Sequence, residues 1–318
     1  MRKILISGTI ICVLSLSATH VHARLSKEYL SWMKGEFEIP EEIKNVINVS
    51  ELQPFIESNR EFTRMAAIRR LGQIEGPKAI GPLREVFAKE PSPKGLHEVP
   101  LVKFEVIRTL GRIGTKQAKS ILLDILKDYW NRGPNVKDKK GFRLDRDFAT
   151  VMPLVLETLY KWSADKDVFE TVKIIALSED VKNLYSGRNS IGQRAWEVYL
   201  RGKMIKDEIV EEKDSTIYLL NFIEDIAKEG AAYGTLGFVK KIAAYAILKK
   251  HSEAVLSSMV SEFEEQFKKE PRTPKGFFTE RHNILRRNIG TIKKILKEKK
   301  EKEEMKKKEE MKEKSGKK

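Results

Sequence analysis

The sequence predicts an all-α fold, an α-solenoid of about six stacked helical hairpins. One basis for this prediction is a repeat: the spacing of Leu-Gly, Ile and small residues in Leu71–Leu83 returns in Leu110–Leu122, 39 residues further on. The other basis is the pattern inside each copy, where apolar residues recur at the i, i+3, i+4 spacing of amphipathic helices. A period of about 40 residues that contains two helices is typical of stacked helical pairs. Such arrays bind partners along an extended surface.

The repeat can be followed through five helical pairs and a final half pair. The first two pairs match in both helices, whereas the third and fourth, at residues 155–175 and 194–226, keep only the apolar pattern. The match recovers at an offset of 176 residues and begins once more at an offset of 218. These offsets place the following residues at one repeat position: Leu71, Leu110, Ile247 and Ile289.

Composition and pattern divide the chain into four predicted segments. Residues 1–23 form a signal peptide, residues 24–58 an N-terminal helical cap, residues 59–296 the repeat solenoid, and residues 297–318 a Lys/Glu-rich helical tail. Hydrophobic residues make up 41% and charged residues 34% of the chain, which predicts a folded core with a highly charged surface. A repeat array needs a polar end, because an apolar end would stack against another molecule. We expect the tail to provide that end.

The N-terminus has the parts of a secretory signal peptide. Arg2 and Lys3 precede an apolar run, Ile4–Ala18, and small residues follow that end at Ala23. We therefore expect cleavage after Ala23 and export, either to the periplasm or out of the cell. Retention of this segment as a membrane anchor is the alternative. Cys12 is the single cysteine and leaves with this segment, which excludes disulfides, thiolate catalysis and cysteine metal sites from the mature chain.

The first helix of several repeats carries a recognisable motif. TRMAAIRRLGQIEG contains Arg64 and the Leu-Gly pair, and VKFEVIRTLGRIG and VKKIAAYAIL have Lys103 and Lys240 in place of the arginine. These segments resemble the HEAT-repeat superfamily, in particular the HEAT-like units of phycobilin lyases. The resemblance implies right-handed stacking of antiparallel helix pairs, with the second helices on a concave face. It also implies an ion pair or a cap at the Arg64 position, but it does not imply lyase chemistry.

The sequence predicts no enzyme activity, catalytic residue, cofactor or metal site. Nucleophile, phosphate-binding and dinucleotide-binding motifs are absent from it. Beyond the signal peptide the histidines are His97, His251 and His282, far apart in the chain and without a second ligand at a metal-binding spacing. We therefore interpret them as surface residues.

The connections between successive helical pairs carry the candidate binding residues. Connections of this kind lie along one edge of a helical array, and long loops on a rigid scaffold are where binding residues concentrate. Two of these connections, at residues 131–147 and 268–281, have an excess of positive charge. The predicted basic edge consists of Lys137, Lys139, Lys140, Arg143, Arg146, Lys268, Lys269, Arg272 and Lys275.

The formal net charge of +15 restricts the classes of partner. In a cell envelope this charge favours an acidic protein, an anionic polymer or an anionic membrane surface, whereas nucleic acid is not expected there. We expect a protein-binding or scaffolding module. A peripheral binder of anionic polymer or membrane surface is the alternative, and an enzyme with a cleft between repeats is a third possibility. The sequence leaves the oligomeric state open.

Overall fold

The structure is a computed structural model and describes residues 37–91, 99–133, 135–138, 141–144, 146–178, 191–228, 235–274 and 278–315. The predicted signal peptide and residues 24–36 of the predicted cap lie outside these ranges. The described helices are α1 Glu41–Lys44, α2 Val49–Ile56, α3 Glu61–Glu75, α4 Ile80–Lys89, α5 Leu101–Ile113, α6 Lys116–Arg132, α7 Arg146–Leu159, α8 Lys166–Leu177, α9 Ile191–Lys206, α10 Glu212–Lys228, α11 Thr235–Leu248, α12 Glu253–Lys269 and α13 Glu280–Ser315. The strands are β1 Asn135–Asp138 and β2 Gly141–Leu144.

The fold class is the predicted one, an all-α solenoid of helical pairs. Contacts between Cα atoms divide the chain into two compact units. The first contains residues up to Glu90 together with Leu101–Ile113, and the second contains Pro91–Pro100 and the chain from Gly114 onward. No helix in the described ranges is long and apolar enough to cross a membrane.

In the first unit, α3 packs against α2, α4 packs against α5, and α3 and α5 lie side by side. The two leucines that revealed the repeat, Leu71 and Leu110, are completely buried. α3 ends where Gly76 has a φ of 52°, a left-handed conformation that glycine adopts without steric cost. Gly72 explains the close approach of α3 and α5, because a Cβ atom there would lie 2.2 Å from Cγ2 of Thr109.

A buried ion cluster joins α3 to α5. The carboxylate of Glu105 accepts hydrogen bonds from Arg69 Nε at 2.9 Å and Nη2 at 3.0 Å, and from Arg112. Arg64 pairs with Glu90 at 2.7 Å, which confirms the ion pair that the resemblance implied at this repeat position. Arg64 and the cluster around Glu105 therefore stabilise the packing between helices of the first unit.

In the second unit, the first helices of successive pairs, α7, α9 and α11, pack side by side. Short turns join the two helices of each pair, which makes paired helices antiparallel. Two of the second helices begin with side-chain caps, since Thr115 accepts a hydrogen bond from the Ala118 amide and Ser252 accepts one from the Val255 amide. Met259 and Phe263, assigned to the core by the repeat offset of 176, are buried on α12.

Residues 131–147 were expected to form a loop, and this detail is wrong. Strands β1 and β2 pair in antiparallel register, with Asn135 opposite Leu144 and Asp138 opposite Gly141. Val136, Phe142 and other strand-favouring residues occur in this segment, and the register leaves two residues between the strands, the commonest length of a hairpin connection. The helical period used to interpret the chain does not detect so short a strand pair.

The last helix combines the predicted half pair and part of the predicted tail. α13 is continuous from Glu280 to Ser315. Its first part packs against α12 through Leu285 and Ile292, which are buried. From residue 301 to residue 311, every side chain that the structure describes is exposed. The charged tail is therefore helical and solvated over its described residues, as predicted.

Candidate binding cleft

A cleft of about 350 Å³ lies in the second unit, at the edge formed by the turns inside helical pairs. We call it the Tyr160 cleft. Tyr160 lies in the turn after α7, Arg201 and Met204 lie on α9, Ile209 lies in the turn before α10, and Ile247 lies near the end of α11. Because paired helices are antiparallel, this edge is at the opposite helix ends from the connections that carry the predicted basic edge. The volume falls in the range of small ligand sites.

The turn between α9 and α10 shapes one wall of the cleft. Glu208 has a φ of 60°, and the amide of Ile209 donates to the carbonyl of Met204 at 2.8 Å. The helix α9 therefore ends with Glu208 in the left-handed backbone conformation, at a position that glycine usually occupies. The turn brings Ile209 to the wall and leaves Val210 75% exposed at the rim. An unfavourable backbone conformation is thus maintained beside an exposed apolar side chain.

Glu208→Gly is expected to raise the free energy of unfolding by about 1 kcal/mol, because glycine adopts the left-handed conformation without the cost that a side chain adds. Urea denaturation would measure this change. Asp225→Gly provides the control, since Asp225 is exposed inside α10 and glycine there should cost about 0.3 kcal/mol in helix propensity. Equal destabilisation by both changes would show that Glu208 is not strained.

Two cations share the ring of Tyr160. The guanidinium of Arg201 lies 4.8 Å from the ring centroid, and the Lys250 ammonium lies 3.7 Å from it. Lys250 also pairs with the buried carboxylate of Glu197 at 3.5 Å. A second cavity, of about 290 Å³, shares Tyr160 and Lys250 with the Tyr160 cleft and includes Glu197 and Arg194 in its lining. The polar side of the cleft therefore has two cations against one aromatic ring, and the carboxylate of Glu212 is also part of its lining.

His251 forms a buried polar cluster at the floor of the cleft. Its Nδ1 lies 2.8 Å from Thr216 Oγ1, and its Nε2 lies 3.2 Å from Ser215 Oγ. Thr216 donates to the carbonyl of Glu212 at 2.7 Å, so Thr216 accepts from Nδ1–H of His251, and Nε2 accepts from Ser215. Both ring nitrogens thus contact hydroxyls. In a serine–histidine–aspartate triad a carboxylate accepts from Nδ1–H, and here Thr216 occupies that place.

Burial lowers the pKa of His251, and the nearby charges of Lys299 and Arg201 lower it further, whereas Glu212 opposes the change. Below about pH 6.5, therefore, the imidazole of His251 is protonated in the unfolded chain. In the folded chain it stays neutral until the pH is lower. Stability from neutral His251 is complete above about pH 6.5 and is lost as the pH falls toward the folded pKa. The difference in unfolding free energy between wild type and His251→Gln should shrink between about pH 7.5 and pH 5.5. A constant difference in urea denaturation would contradict this.

The interpretation of the histidines as surface residues is wrong for two of them. His251 and His282 are both buried. His282 accepts from or donates to Thr279 Oγ1 at 3.0 Å and packs against the rings of Phe267 and Phe278. A histidine without a metal-ligand spacing was expected at the surface. Inside the core, however, hydroxyl groups can supply the hydrogen bonds that both ring nitrogens need. His97 lies outside the described residues.

The predicted basic edge is only partly described. Lys137 and Arg143 lie in β1 and β2, where Lys137 is opposite Phe142 and Arg143 is opposite Val136, and Arg146 begins α7. Lys268 and Lys269 are exposed at the end of α12, and Lys269 pairs with Glu265 at 2.5 Å. Arg272 lies 5.1 Å from the Phe278 ring centroid. Outside the described residues are Lys139, Lys140 and Lys275. The assignment of all nine residues to one binding edge remains a prediction.

Metal ligands were not expected. In the ranges that the structure describes, no three histidine, cysteine, aspartate or glutamate side chains come together as a possible metal site.

Comparison with known families bears on α3 and α4. Residues 63–89 match the family model described as PBS lyase HEAT-like repeat. This segment is a HEAT-like repeat. It corresponds to the first predicted helical pair. The repeat offsets of 39 and 176 residues relate the second and fifth pairs to it. HEAT-like repeats commonly mediate protein interactions. Searches of curated proteins and of solved structures found no match to the chain.

Proposed function

We propose that this chain is an exported protein-binding module of the cell envelope and that a partner protein binds at the Tyr160 cleft. The observation that carries the proposal is the cleft itself, in which apolar residues of α9, α11 and the α9–α10 turn adjoin two cations. Helices of consecutive helical pairs support these residues, so the binding surface is built before a partner arrives. Catalysis is not part of the proposal, and neither is a cofactor.

The rim of the cleft supports a protein partner. Val210 is one of the most exposed apolar side chains of the described chain, and it continues the apolar wall of Ile209 outward. A contiguous apolar surface that continues from a cleft to its exposed rim is typical of an interaction surface. On the alternative surface, the predicted basic edge, Lys269 pairs with Glu265, and in the same connection Arg281 pairs with Glu270, which reduces the local positive charge. For this reason we favour a protein over an anionic polymer or membrane.

A photo-reactive amino acid at Val210 would test the proposal in the envelope fraction of the source cell. We expect a discrete cross-linked partner that excess unlabelled wild type suppresses and excess Val210→Asp does not. Ile47 provides the control position, because it is an apolar side chain of similar exposure in the other unit. Identical products from both positions, or competition by Val210→Asp equal to that of wild type, would contradict binding at the cleft.

Export is tested separately. We expect the mature protein to begin at Arg24, because the proposed signal peptide is cleaved after Ala23. N-terminal sequencing of the protein from the periplasmic and extracellular fractions would measure this. A chain that retains Met1 and remains inside the cell would contradict the proposed location without affecting the proposed binding cleft.

A further inference from the structure

The charge of Arg201 is the unusual feature of the Tyr160 cleft. Its guanidinium lies over the Tyr160 ring, but no carboxylate of the described residues pairs with it, and its buried Nε has no hydrogen-bond partner. An aromatic ring compensates a guanidinium only in part. A partly buried cation without a counter-charge favours the binding of an anion, because the anion would supply that counter-charge.

The carboxylates around the cleft are already occupied. Glu197 accepts from Gln193 Nε2 at 2.8 Å and pairs with Arg194 at 3.0 Å and with Lys250 at 3.5 Å. Glu212 accepts two hydrogen bonds from Ser252, from the amide at 3.1 Å and the hydroxyl at 2.8 Å. Glu197 is paired with other cations, Glu212 is held by neutral donors, and neither of them forms an ion pair with Arg201. An incoming carboxylate is therefore the group that the cleft lacks.

The apolar wall lies directly beside this cation. Arg201, Met204 and Ile205 are at positions i, i+3 and i+4 of α9, so they share one face of the helix. Ile209 and Ile247 complete the wall. A ligand that fits this face has an anionic group and an apolar group a few ångströms apart.

The exposed rim indicates a chain and not an enclosed small molecule. Val210 lines the cleft and is 75% exposed, so an occupant that covers its side chain must extend past the rim of the cleft. We propose that the Tyr160 cleft binds a peptide segment of the partner in which a glutamate or aspartate adjoins a leucine-like side chain. The carboxylate pairs with Arg201, and the apolar side chain packs against Met204 and Ile247. This inference rests on the proposed function and adds the chemistry of the recognised segment.

Fluorescence anisotropy of the full chain with labelled peptides tests the inference. The probes are Ser/Gly-rich octapeptides with one central Leu-Glu pair, and the matched peptides have glutamine in place of glutamate. A charge-assisted hydrogen bond predicts a preference for glutamate of about tenfold to a hundredfold in affinity. Arg201→Gln should abolish this preference, and Arg201→Lys should retain part of it. Arg286→Gln is the control, because Arg286 is exposed on α13 and contacts only Asn283 among the described residues.

Three results would overturn the inference. These are equal affinity for the two peptides, an unchanged preference in a folded Arg201→Gln protein, and Arg201-dependent binding of octanoate with no binding of either peptide. The last would assign the cleft to a free amphiphile. Cross-linking from Val210 that is unaffected by Arg201→Gln would also overturn it, while leaving the proposed protein-binding function in place.

Discussion

Glu105→Gln is expected to lower the free energy of unfolding of the first unit by about 3 kcal/mol. The side chain of Glu105 is completely buried, and Arg69 is only 17% exposed. Glutamine would leave the guanidinium of Arg69 partly buried without its counter-charge, and removal of one partner from a buried ion pair is costly for that reason. Arg112 is half exposed, so water can solvate its guanidinium after the carboxylate is removed. We therefore expect a loss at the lower end of the range for breaking a buried ion pair.

Urea denaturation of the full chain would measure this loss. Glu85→Gln is the matched control, because Glu85 makes an exposed ion pair with Lys89 at 3.6 Å in the same unit. Exposed pairs contribute about 0 to 1 kcal/mol, so the control should be nearly neutral. If both variants lost the same stability, the buried cluster would have no special role in joining α3 to α5.

The same cluster predicts a dependence on pH. Burial by itself raises the pKa of Glu105, but the hydrogen bonds and charges of Arg69 and then Arg112 outweigh it, and the net pKa is lowered. The stabilisation is therefore complete above the pKa of an unfolded glutamate, about 4.3, and is lost as the pH falls through the lower folded pKa. The stability difference between wild type and Glu105→Gln should be constant near neutral pH and should narrow below about pH 4.

The helical pairs could be predicted because their packing repeats. Leu71 and Leu110 occupy the same place in successive units, both are completely buried, and the spacing of apolar residues around them is sufficient to indicate helices. The β1–β2 hairpin could not be predicted in this way, because it occurs once and has no counterpart at the repeat offsets. The repeat of apolar residues indicates only structure that occurs in several units, and the hairpin occurs in one connection.

The Tyr160 cleft could not be predicted for a related reason. Its cations, Arg201 and Lys250, and its ring, Tyr160, come from three different helical pairs, two of which match the repeat only loosely. Their proximity depends on tertiary packing between α7, α9 and α11, which no spacing in the sequence records. His251 shows the same limit, since the hydroxyls that satisfy its ring lie about 35 residues earlier in the chain.

Gly202→Ala is the second change with a large expected effect. A Cβ atom at Gly202 would lie 2.2 Å from the carbonyl oxygen of Ser163 and 2.8 Å from the Phe169 ring. The first contact is with backbone, which cannot rotate away as a side chain can, so α9 must shift away from the turn after α7. Forced overpacking of this kind costs about 1 to 3 kcal/mol, and we expect a loss of about 3 kcal/mol because the obstacle is main chain.

Gly290→Ala is the matched control for Gly202→Ala. Gly290 also lies inside a helix of the second unit, but apart from its chain neighbours and the backbone of its own helix no heavy atom lies within 4 Å of its added Cβ. Alanine there should raise the free energy of unfolding by up to about 1 kcal/mol, through helix propensity alone. The two substitutions add the same methyl group and should change stability in urea with opposite signs. A gain at both positions would mean that α9 and the Ser163 turn do not approach as closely as the structure places them, and Arg201, next to Gly202, would then be displaced from Tyr160.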